Sequence, residues 1–251
     1  MLIVLPPSEG KASGGDGPPL DLAGLSHPGL NPTRERVLAA LAEVCCRDDA
    51  QHVLGLTEGQ RDEALERNLA LYEAPTLPVS RLYTGVLYDR LALASLDERA
   101  MRAAEEQIVI LSGLWGALRL TDRIPPYRLA MAVSLPPLGR LASAWRPALE
   151  EALKPQGLVV DMRSAPYAVA WRPPAPAVSV RVFRERILYG VPKRTVVSHM
   201  AKATRGGVAH DLLKAGADPA TPEELLKIVC GLGHTAELSP DGAFLDVILH
   251  S

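Results

Sequence analysis

The chain has 251 residues, of which 47% are hydrophobic and 22% are charged, so it can bury one large core and is too apolar to be disordered. Its formal net charge of −2 excludes a polycation, and any contact with nucleic acid would require a local basic face. Its three cysteines include no C-x-x-C pair, which favours reduced thiols in a cytoplasmic protein.

The N-terminal half is predicted to contain one short strand followed mainly by helices. Residues 1–5 predict a buried strand that ends at a double proline, and a loop rich in glycine and proline follows. Thr33 is predicted to cap a helix that runs to about Arg47. Further helices are predicted at 57–72, through RLYTGVLYDRL from Pro78 or Ser80, and at 97–106.

The C-terminal half mixes strands with helices. Apolar runs predict strands at 107–113, 157–164, 178–185 and 194–201, and helices are predicted at 141–153, 202–215 and 221–229. The ending HTAELSPDGAFLDVIL predicts a hairpin with an Asp-Gly turn. Because these elements follow no strict βαβ order, we predict an α+β fold: a single domain over 1–251 with a mixed β-sheet flanked by helices.

Targeting and metal-binding signals are missing from the sequence. The start, MLIVLPPSEG, has an apolar run of only four residues without a preceding basic segment, so no signal peptide is expected. No stretch approaches about 18 uninterrupted apolar residues, so neither a membrane span nor a membrane partner is expected. The six histidines are scattered and no nucleotide or metal motif is present, so no metal and no cofactor are expected.

Polar groups suited to anions follow several of the predicted strands. If these strands share a sheet with their ends aligned, the cations near them meet at one cleft, where α/β proteins often bind ligands. The cations expected to meet are Lys11, Arg119, Arg163, Lys202 and Arg205. The alternative is that each charge lies on a separate solvated loop.

The segment 112–131, SGLWGALRLTDRIPPYRLAM, is too rich in charge for a plain connector. Its glycines permit a tight turn beside a ligand or another segment. Its double proline is expected to stiffen the return and to present Tyr127 and Arg128 in a fixed direction. Asp122 is expected to pair with a nearby arginine and to orient the guanidinium toward phosphate or carboxylate.

Two segments are weakly similar to a helix-hairpin-helix, whose turn amides bind a DNA phosphate. One is GLG at 231–233, for which a structural turn before the predicted hairpin is the favoured interpretation. The other is VLGLTEGQRDEAL at 53–65, an equally weak candidate.

Five segments together resemble a known family. They are MLIVLPPSEGK, LYTG, LSGLWGALRLTDRIPPYRLAM, VVDMRSAPY and HMAKATRG, and they resemble the YaaA family of peroxide stress proteins, also called DUF328 or UPF0246. The matched segments lie in the same order and span nearly the whole chain. The resemblance implies a family-specific fold with a positively charged cleft, a helix-hairpin-helix-like element, and a role in limiting hydrogen peroxide damage associated with lower free iron and DNA binding.

Matching the family pattern residue by residue implies a set of cleft positions. They are Tyr83, Thr84, Gly85, Ser112, Gly113, Arg119, Asp122, Tyr127, Arg128, Ser164, Tyr167, Lys202 and Arg205.

Two functional hypotheses follow. In the first, a stress protein binds DNA, and its phosphate contacts come from Lys11, Ser112, Gly113, Arg119, Arg128, Arg163, Ser164, Lys202 and Arg205. In the second, an enzyme acts on a small phosphorylated or nucleotide-like substrate in the same cleft.

Catalytic roles can be assigned only under the second hypothesis. Asp161 is then the candidate general base, although a salt bridge to Arg163 explains it equally well. Lys11 or Lys202 stabilises developing negative charge, and Tyr127 orients groups or moves a proton. Direct iron storage is disfavoured because the sequence has no Glu-x-x-His pair.

Overall fold

A mixed β-sheet lies at the centre of the fold. The computed structural model describes residues 1–174, 176–188 and 191–250. Within these residues the strands are β1 (Leu2–Leu5), β2 (Leu77–Pro78), β3 (Ile108–Ser112), β4 (Gly116–Leu118), β5 (Arg123–Ile124), β6 (Ser134–Leu135), β7 (Gly139–Arg140), β8 (Val159–Asp161), β9 (Ala177–Leu188), β10 (Val191–Val196), β11 (Ala236–Leu238) and β12 (Phe244–His250).

Helices cover the sheet and connect its strands. They are α1 (Asn31–Cys45), α2 (Ala50–Val53), α3 (Glu58–Leu69), α4 (Val79–Leu82), α5 (Val86–Leu91), α6 (Glu98–Gln107), α7 (Leu141–Ala152), α8 (Ala165–Ala170), α9 (Ser198–Lys214) and α10 (Pro222–Gly231). Among the described residues, no helix is long and apolar enough to cross a membrane.

The order of the main sheet is β11-β12-β9-β8-β1-β3-β4, and β10 pairs with β9. β1 pairs in parallel with β3 and β8, with Leu5 opposite Ile110 and Val4 opposite Asp161. β9 is parallel to both β8 and β12, whereas β4, β10 and β11 are antiparallel to their neighbours. The parallel strands therefore present their carboxyl ends at one edge, and the predicted α+β class with a mixed sheet is confirmed.

The core forms where the sheet packs against the helices. β1 and β3 are buried on both faces, as their uninterrupted apolar runs predict. The close packing of α5 on α9 depends on a glycine, since a Cβ atom on Gly206 would lie 2.1 Å from the carbonyl oxygen of Leu87. That contact leaves no room for a side chain.

Several elements are placed differently from the predictions. α1 begins at Asn31 rather than after Thr33, because a 3-10 turn over Pro28–Leu30 runs directly into it and Pro32 is tolerated in a first helical turn. The predicted helix through RLYTGVLYDRL is divided into α4 and α5, because Gly85 has a φ of 100° at the division.

The predicted strand 194–201 was wrong at its C-terminal end. β10 ends at Val196 and α9 begins at Ser198, so Met200 is helical and 38% exposed rather than a core residue on a strand. The predicted strand 157–164 is shortened to β8. Thr57 and Gln60 form a capping box at the start of α3, and the Thr221 side chain caps α10. The predicted Asp241-Gly242 turn between β11 and β12 is confirmed.

Candidate functional site

The loop after β1 and the turn between α4 and α5 form the base of the candidate site. The two segments pair through their backbones: the Ala12 amide donates to the Leu82 carbonyl (2.9 Å) and the Thr84 amide donates to the Gly10 carbonyl (3.2 Å). Lys11 and Tyr83 lie opposite each other in this pairing. The LYTG segment therefore acts by positioning Lys11.

Three buried hydroxyl groups form a chain at the carboxyl end of β3. The Tyr127 hydroxyl lies 2.7 Å from Ser112 Oγ and 2.8 Å from the Tyr83 hydroxyl. Ser112 Oγ also accepts hydrogen bonds from the Leu114 and Trp115 amides. Burial raises the pKa values of Tyr83 and Tyr127 above the ordinary tyrosine value, so both phenols stay protonated at neutral pH.

The Lys11 amino group lies against this tyrosine pair. Its Nζ atom is 4.2 Å from the Tyr127 ring centroid and 5.5 Å from that of Tyr83, and it donates to the Ser8 carbonyl at 2.9 Å. The pKa of Lys11 is lowered to about 7, chiefly by burial and secondly by repulsion from Arg128, while Glu9 opposes the shift. A substantial fraction of Lys11 is therefore uncharged at neutral pH.

Lys11 lines an open cleft of about 400 Å³ between the loop after β1, the helix α3 and the segment that carries Tyr127 and Arg128. We call this space the Lys11 cleft. Its charged side chains are three cations and two carboxylates: Lys11, Arg67, Arg128, Glu9 and Glu63. Arg128 pairs with Glu9 (3.1 Å) and Arg67 pairs with Glu63 (2.5 Å), so carboxylates offset part of the positive charge.

Arg128 is held in the wall of this cleft by α3. The buried Asn68 side chain donates to the Arg128 carbonyl (2.9 Å) and accepts from the Arg128 amide (2.8 Å). The backbone of Arg128, shortly after the double proline, is thus held in a fixed position, as expected. Tyr127 points inward with 1% of its surface exposed, so its ring forms part of the cleft floor and its hydroxyl stays in the interior.

Asp161 and Arg163 form a buried ion pair rather than an open site. The guanidinium of Arg163 donates to both carboxylate oxygens of Asp161, at 2.8 and 2.6 Å, and to the carbonyls of Tyr167 and Trp171. Asp161 is 7% exposed and Arg163 is 5% exposed. The geometry therefore supports the salt bridge to Arg163 as the explanation of Asp161. The guanidinium donors of Arg163 named here all bind acceptors within the fold.

Arg119 lies at the other edge of the sheet. β4 runs antiparallel to β3, so the chain returns from Ser112 to the start of β3 before it reaches Arg119, whose guanidinium donates to the Glu106 and Ile108 carbonyls. Ser112 lies four residues beyond Ile108 on β3, about 13 Å away at about 3.3 Å per residue. Arg119 therefore does not join Lys11.

Asp122 also differs from the expectation. Its carboxylate accepts from the backbone amides of Ser26 and Arg119, both at 2.8 Å, and so holds two loops together instead of orienting a guanidinium. Arg34 was missed from the sequence: it is fully buried and donates to the carbonyls of Trp115 and Ala117.

Lys202 and Arg205 lie on α9, beside β9. Arg205 donates twice to the Val180 carbonyl, at 2.9 and 3.1 Å, whereas Lys202 is exposed. The remaining predicted positions lie in packed parts of the fold. A Cβ on Gly113 would lie 2.7 Å from the Leu129 carbonyl oxygen, and Ser164 occupies the N-cap position of α8. Burial raises the pKa of Tyr167 to about 12. Of the five cations expected to converge, Lys11 alone lines the cleft.

Neither helix-hairpin-helix candidate offers open turn amides. The GLG segment ends α10 and leads into β11, so its turn belongs to a helix–strand connection. The segment 53–65 joins α2 to α3, but the Gly55 amide donates to the His52 carbonyl (3.1 Å) and the Leu56 amide to the Gln51 carbonyl (2.9 Å). Both turns are thus stabilised from within the chain.

A second cationic surface was missed from the sequence. β9 and β10 pair over residues 183–188 and 191–196, with β12 on the other side of β9 as far as the Glu185–His250 pair, and we call the paired β9 and β10 residues the β9–β10 ribbon. Arg184 and Arg186 lie two residues apart and so share a face, and Lys193 lies directly opposite Arg186 on the same face. Strands were predicted at 178–185 and 194–201, but the shared face that includes Lys193 follows from the pairing of β9 with β10.

No arrangement for a metal ion appears among the side chains that the structure describes, since no three His, Cys, Asp or Glu residues cluster suitably. The functional groups considered for the Lys11 cleft and the ribbon are therefore cations, carboxylates and phenols. Arg67 and Glu63 of the cleft were also missed from the sequence, because they reach it only through the packing of α3.

Comparison with known proteins agrees with the resemblance seen in the sequence. Residues 1–235 match the family model for the peroxide stress protein YaaA. The chain is 46% identical over 260 residues to a UPF0246 protein of Streptomyces coelicolor, covering 100% of this chain and 99% of that protein. It is 40% identical over 246 residues to a UPF0246 protein of Corynebacterium glutamicum, with 96% of both chains covered. The chain therefore belongs to the YaaA family of peroxide stress proteins, the UPF0246 proteins.

Proposed function

We propose that this protein limits hydrogen peroxide damage by binding the phosphate backbone of DNA, and that it does so through the β9–β10 ribbon. The observation that carries this proposal is the alignment of Arg184, Arg186 and Lys193 on one face of the ribbon. A chain with a net charge of −2 needs such a local basic face, because the electrostatic attraction of DNA acts on clustered cations.

Two acidic groups near the ribbon, Glu185 and Glu237, lie on its other face. Arg194 lies opposite Glu185 and donates to it at 2.9 Å, and it also donates to both carboxylate oxygens of Glu237 at 2.8 and 2.9 Å. These two carboxylates therefore do not oppose the cationic face. Beyond the Glu185–His250 pair, the described residues of the ribbon form two strands, a width that the major groove of DNA accepts.

The start of α9 extends the cationic face. The Arg184 guanidinium contacts the Met200 sulfur, which places the first turns of α9 beside the ribbon, and the exposed Lys202 follows two residues later. The ribbon and α9 together supply four cations for phosphate contacts: Arg184, Arg186, Lys193 and Lys202.

Salt titration of DNA binding tests this proposal. The fluorescence anisotropy of a labelled duplex is measured against potassium chloride for the wild type, Lys193→Gln and Arg186→Gln, with Lys154→Gln, just after α7, as the exposed control. We expect a steep salt dependence whose slope falls by about one for each ribbon substitution and stays unchanged in the control. Affinity that does not respond to salt contradicts the proposal.

A second candidate function is favoured by the Lys11 cleft: an enzyme that acts on a small phosphorylated or nucleotide-like substrate. The supporting observation is the partly uncharged Lys11 amine in a cleft of about 400 Å³ beside Arg67 and Arg128. Phosphate backbone binding alone needs no uncharged amine, whereas reactions at carbonyl or phosphoryl groups use one.

Ligand binding at this cleft is tested by thermal shift and calorimetry with nucleotides, sugar phosphates and inorganic phosphate. Arg67→Gln is compared with Arg102→Gln, because each arginine pairs with a glutamate four residues earlier on its helix. We expect a ligand-dependent rise in Tm that Arg67→Gln abolishes and Arg102→Gln keeps. The absence of a shift with every ligand argues against this candidate.

A further inference from the structure

The amine of Lys11 has the surroundings of a nucleophile. Its Nζ atom is held by the Ser8 carbonyl at 2.9 Å, with the Glu9 carbonyl at 3.4 Å, and it faces the Tyr127 ring at 4.2 Å. These contacts restrict the side chain and orient its terminal atom in the wall of the cleft. Pre-orientation of this kind reduces the entropy lost when a reacting group is positioned.

The charges around Lys11 favour its neutral form. Among the described residues Lys11 forms no ion pair, because the nearest carboxylate, Glu9, is held by Arg128. Burial and the positive charges of Arg128 and Arg67 bring the pKa of Lys11 to about 7, so roughly half of it is neutral at pH 7. An exposed lysine with a pKa of about 10.4 is neutral in fewer than about one molecule in a thousand at that pH.

The same two arginines supply a place for an anion next to the amine. The side chains of Arg67 and Arg128 are 29% and 23% exposed, whereas their partners Glu63 and Glu9 are 63% and 76% exposed. Exposed ion pairs of this kind are weak, so an arriving phosphate can replace either carboxylate on its guanidinium.

We propose that Lys11 is a nucleophile that forms an imine with the aldehyde carbon of a phosphate-bearing substrate, whose phosphate is bound by Arg67 and Arg128. This inference rests on the second candidate function, because it assigns a substrate class and a chemical step to the Lys11 cleft. The cleft volume of about 400 Å³ admits a phosphorylated sugar but not a duplex, so a DNA substrate must present a single extruded sugar.

The step balances without an oxidant or a reductant. The neutral amine attacks the carbonyl carbon, a C–N bond forms, and the carbonyl oxygen gains the electron pair and then a proton from nitrogen. The resulting hydroxyl takes a second proton from solvent, which reaches the exposed Glu9 and Glu63 at the cleft mouth, and leaves as water. The products are a protonated imine and one water molecule, and loss of the nitrogen proton to solvent gives the neutral imine.

Two kinds of substrate combine an aldehyde with a nearby phosphate. One is an abasic site in DNA, where a deoxyribose aldehyde lies between phosphates. The other is a free sugar phosphate with an aldehyde group. Both place an aldehyde within a few bonds of a phosphate, so the structure assigns the class and the experiment distinguishes the source.

Borohydride trapping tests the proposal, because it reduces an imine to a stable secondary amine. The wild type is treated with sodium borohydride in the presence of a duplex that contains an abasic site, of glyceraldehyde 3-phosphate, or of glyceraldehyde without phosphate. Peptide mass spectrometry then locates the adduct among the six lysines. We expect the adduct at Lys11, formed at pH 7 at least about tenfold faster than at the exposed Lys154.

Three variants make the result decisive. Lys11→Arg keeps the charge but cannot form the adduct, Lys154→Arg is the surface control, and Arg67→Gln is expected to slow trapping of the two phosphate-bearing aldehydes but not of glyceraldehyde. Trapping at Lys11 with either phosphate-bearing probe supports the proposal and identifies its source. Equal labelling of all lysines, or equal trapping in Lys11→Arg, overturns it.

The failure of this inference differs from the failure of the function on which it rests. If the thermal shift with nucleotides or sugar phosphates is present and depends on Arg67, but no Lys11 adduct is trapped, the cleft binds phosphates and the nucleophile proposal is overturned. If neither the shift nor the adduct is observed, both are overturned.

Discussion

The Lys11 cleft and the β9–β10 ribbon present cations in opposite ways. In the cleft, Lys11 is surrounded by tyrosine rings and backbone carbonyls, and burial lowers its pKa to about 7. On the ribbon, Arg186 and Lys193 are exposed and lie opposite each other across a strand pair. The two regions differ because burial disfavours the charged form of an amine, whereas exposed cations that cluster on one face act together as charges.

The largest effect on the free energy of unfolding is expected at the buried ion pair of Asp161 and Arg163, which lies outside both the cleft and the ribbon. Arg163→Met leaves the Asp161 carboxylate buried without its ion-pair partner and with only the backbone amide of residue 163 as a named donor, so the free energy of unfolding is expected to fall by about 3–5 kcal/mol in urea denaturation. The double variant Asp161→Leu with Arg163→Met is expected to recover much of this loss. A loss below about 1 kcal/mol in the single variant shows that Arg163 is free for a ligand.

The next largest effect is expected on the pH dependence of the free energy of unfolding. The folded-state pKa of Lys11, about 7, lies below the unfolded value of about 10.4, so the unfolded chain binds more protons between these values and stability rises with pH there. Lys11→Met is expected to reduce the slope of unfolding free energy against pH by up to about 1.4 kcal/mol per unit between roughly pH 7.5 and 10. Lys193→Met on the ribbon is the exposed comparison variant, and a slope that Lys11→Met leaves unchanged would contradict the lowered pKa of Lys11.

The hydroxyl chain at the end of β3 gives a smaller effect. Tyr127→Phe removes the group that joins Ser112 to Tyr83, and the free energy of unfolding is expected to fall by about 1–2 kcal/mol. Tyr88→Phe, which removes a hydroxyl bonded to the Pro6 carbonyl at 2.8 Å, is the comparison variant for loss of a single partner. Equal, negligible losses in both variants would show that the chain does not stabilise the cleft floor.

The smallest stability effect is expected on the ribbon. Lys193→Gln changes an exposed side chain, so the free energy of unfolding is expected to change by less than about 0.5 kcal/mol in urea denaturation. The same substitution is expected to flatten the salt dependence of DNA binding by about one unit. A change in stability without a change in DNA binding reverses the assignment of the two regions.

The sequence predicted the parts of the fold that depend on local patterns. Apolar runs located β1 and β3, helical patterns located α3, α6 and α10, and the Asp-Gly turn located the last hairpin. Lys11 and Ser112 were both named from their positions at strand ends, and the structure brings them to one region, where Tyr127 contacts each of them.

What the sequence could not predict depends on pairing and packing. β4 returns antiparallel to β3 and carries Arg119 away from the carboxyl edge, a reversal that two glycines permit but do not specify. The roles of Arg67 and Asn68 arise when α3 packs against the Tyr127–Arg128 turn. The alternation along β9 predicts a strand, whereas the shared cationic face requires the register of β10.

Both proposals for the Lys11 cleft depend on a buried amine whose pKa is lowered to about 7. NMR titration of the six lysines, labelled with carbon-13 at the ε position, measures this directly. We expect one resonance with a midpoint near pH 7 that is missing in Lys11→Arg. A spectrum in which no lysine resonance titrates near pH 7 would show that the Lys11 amine stays charged and would overturn both proposals.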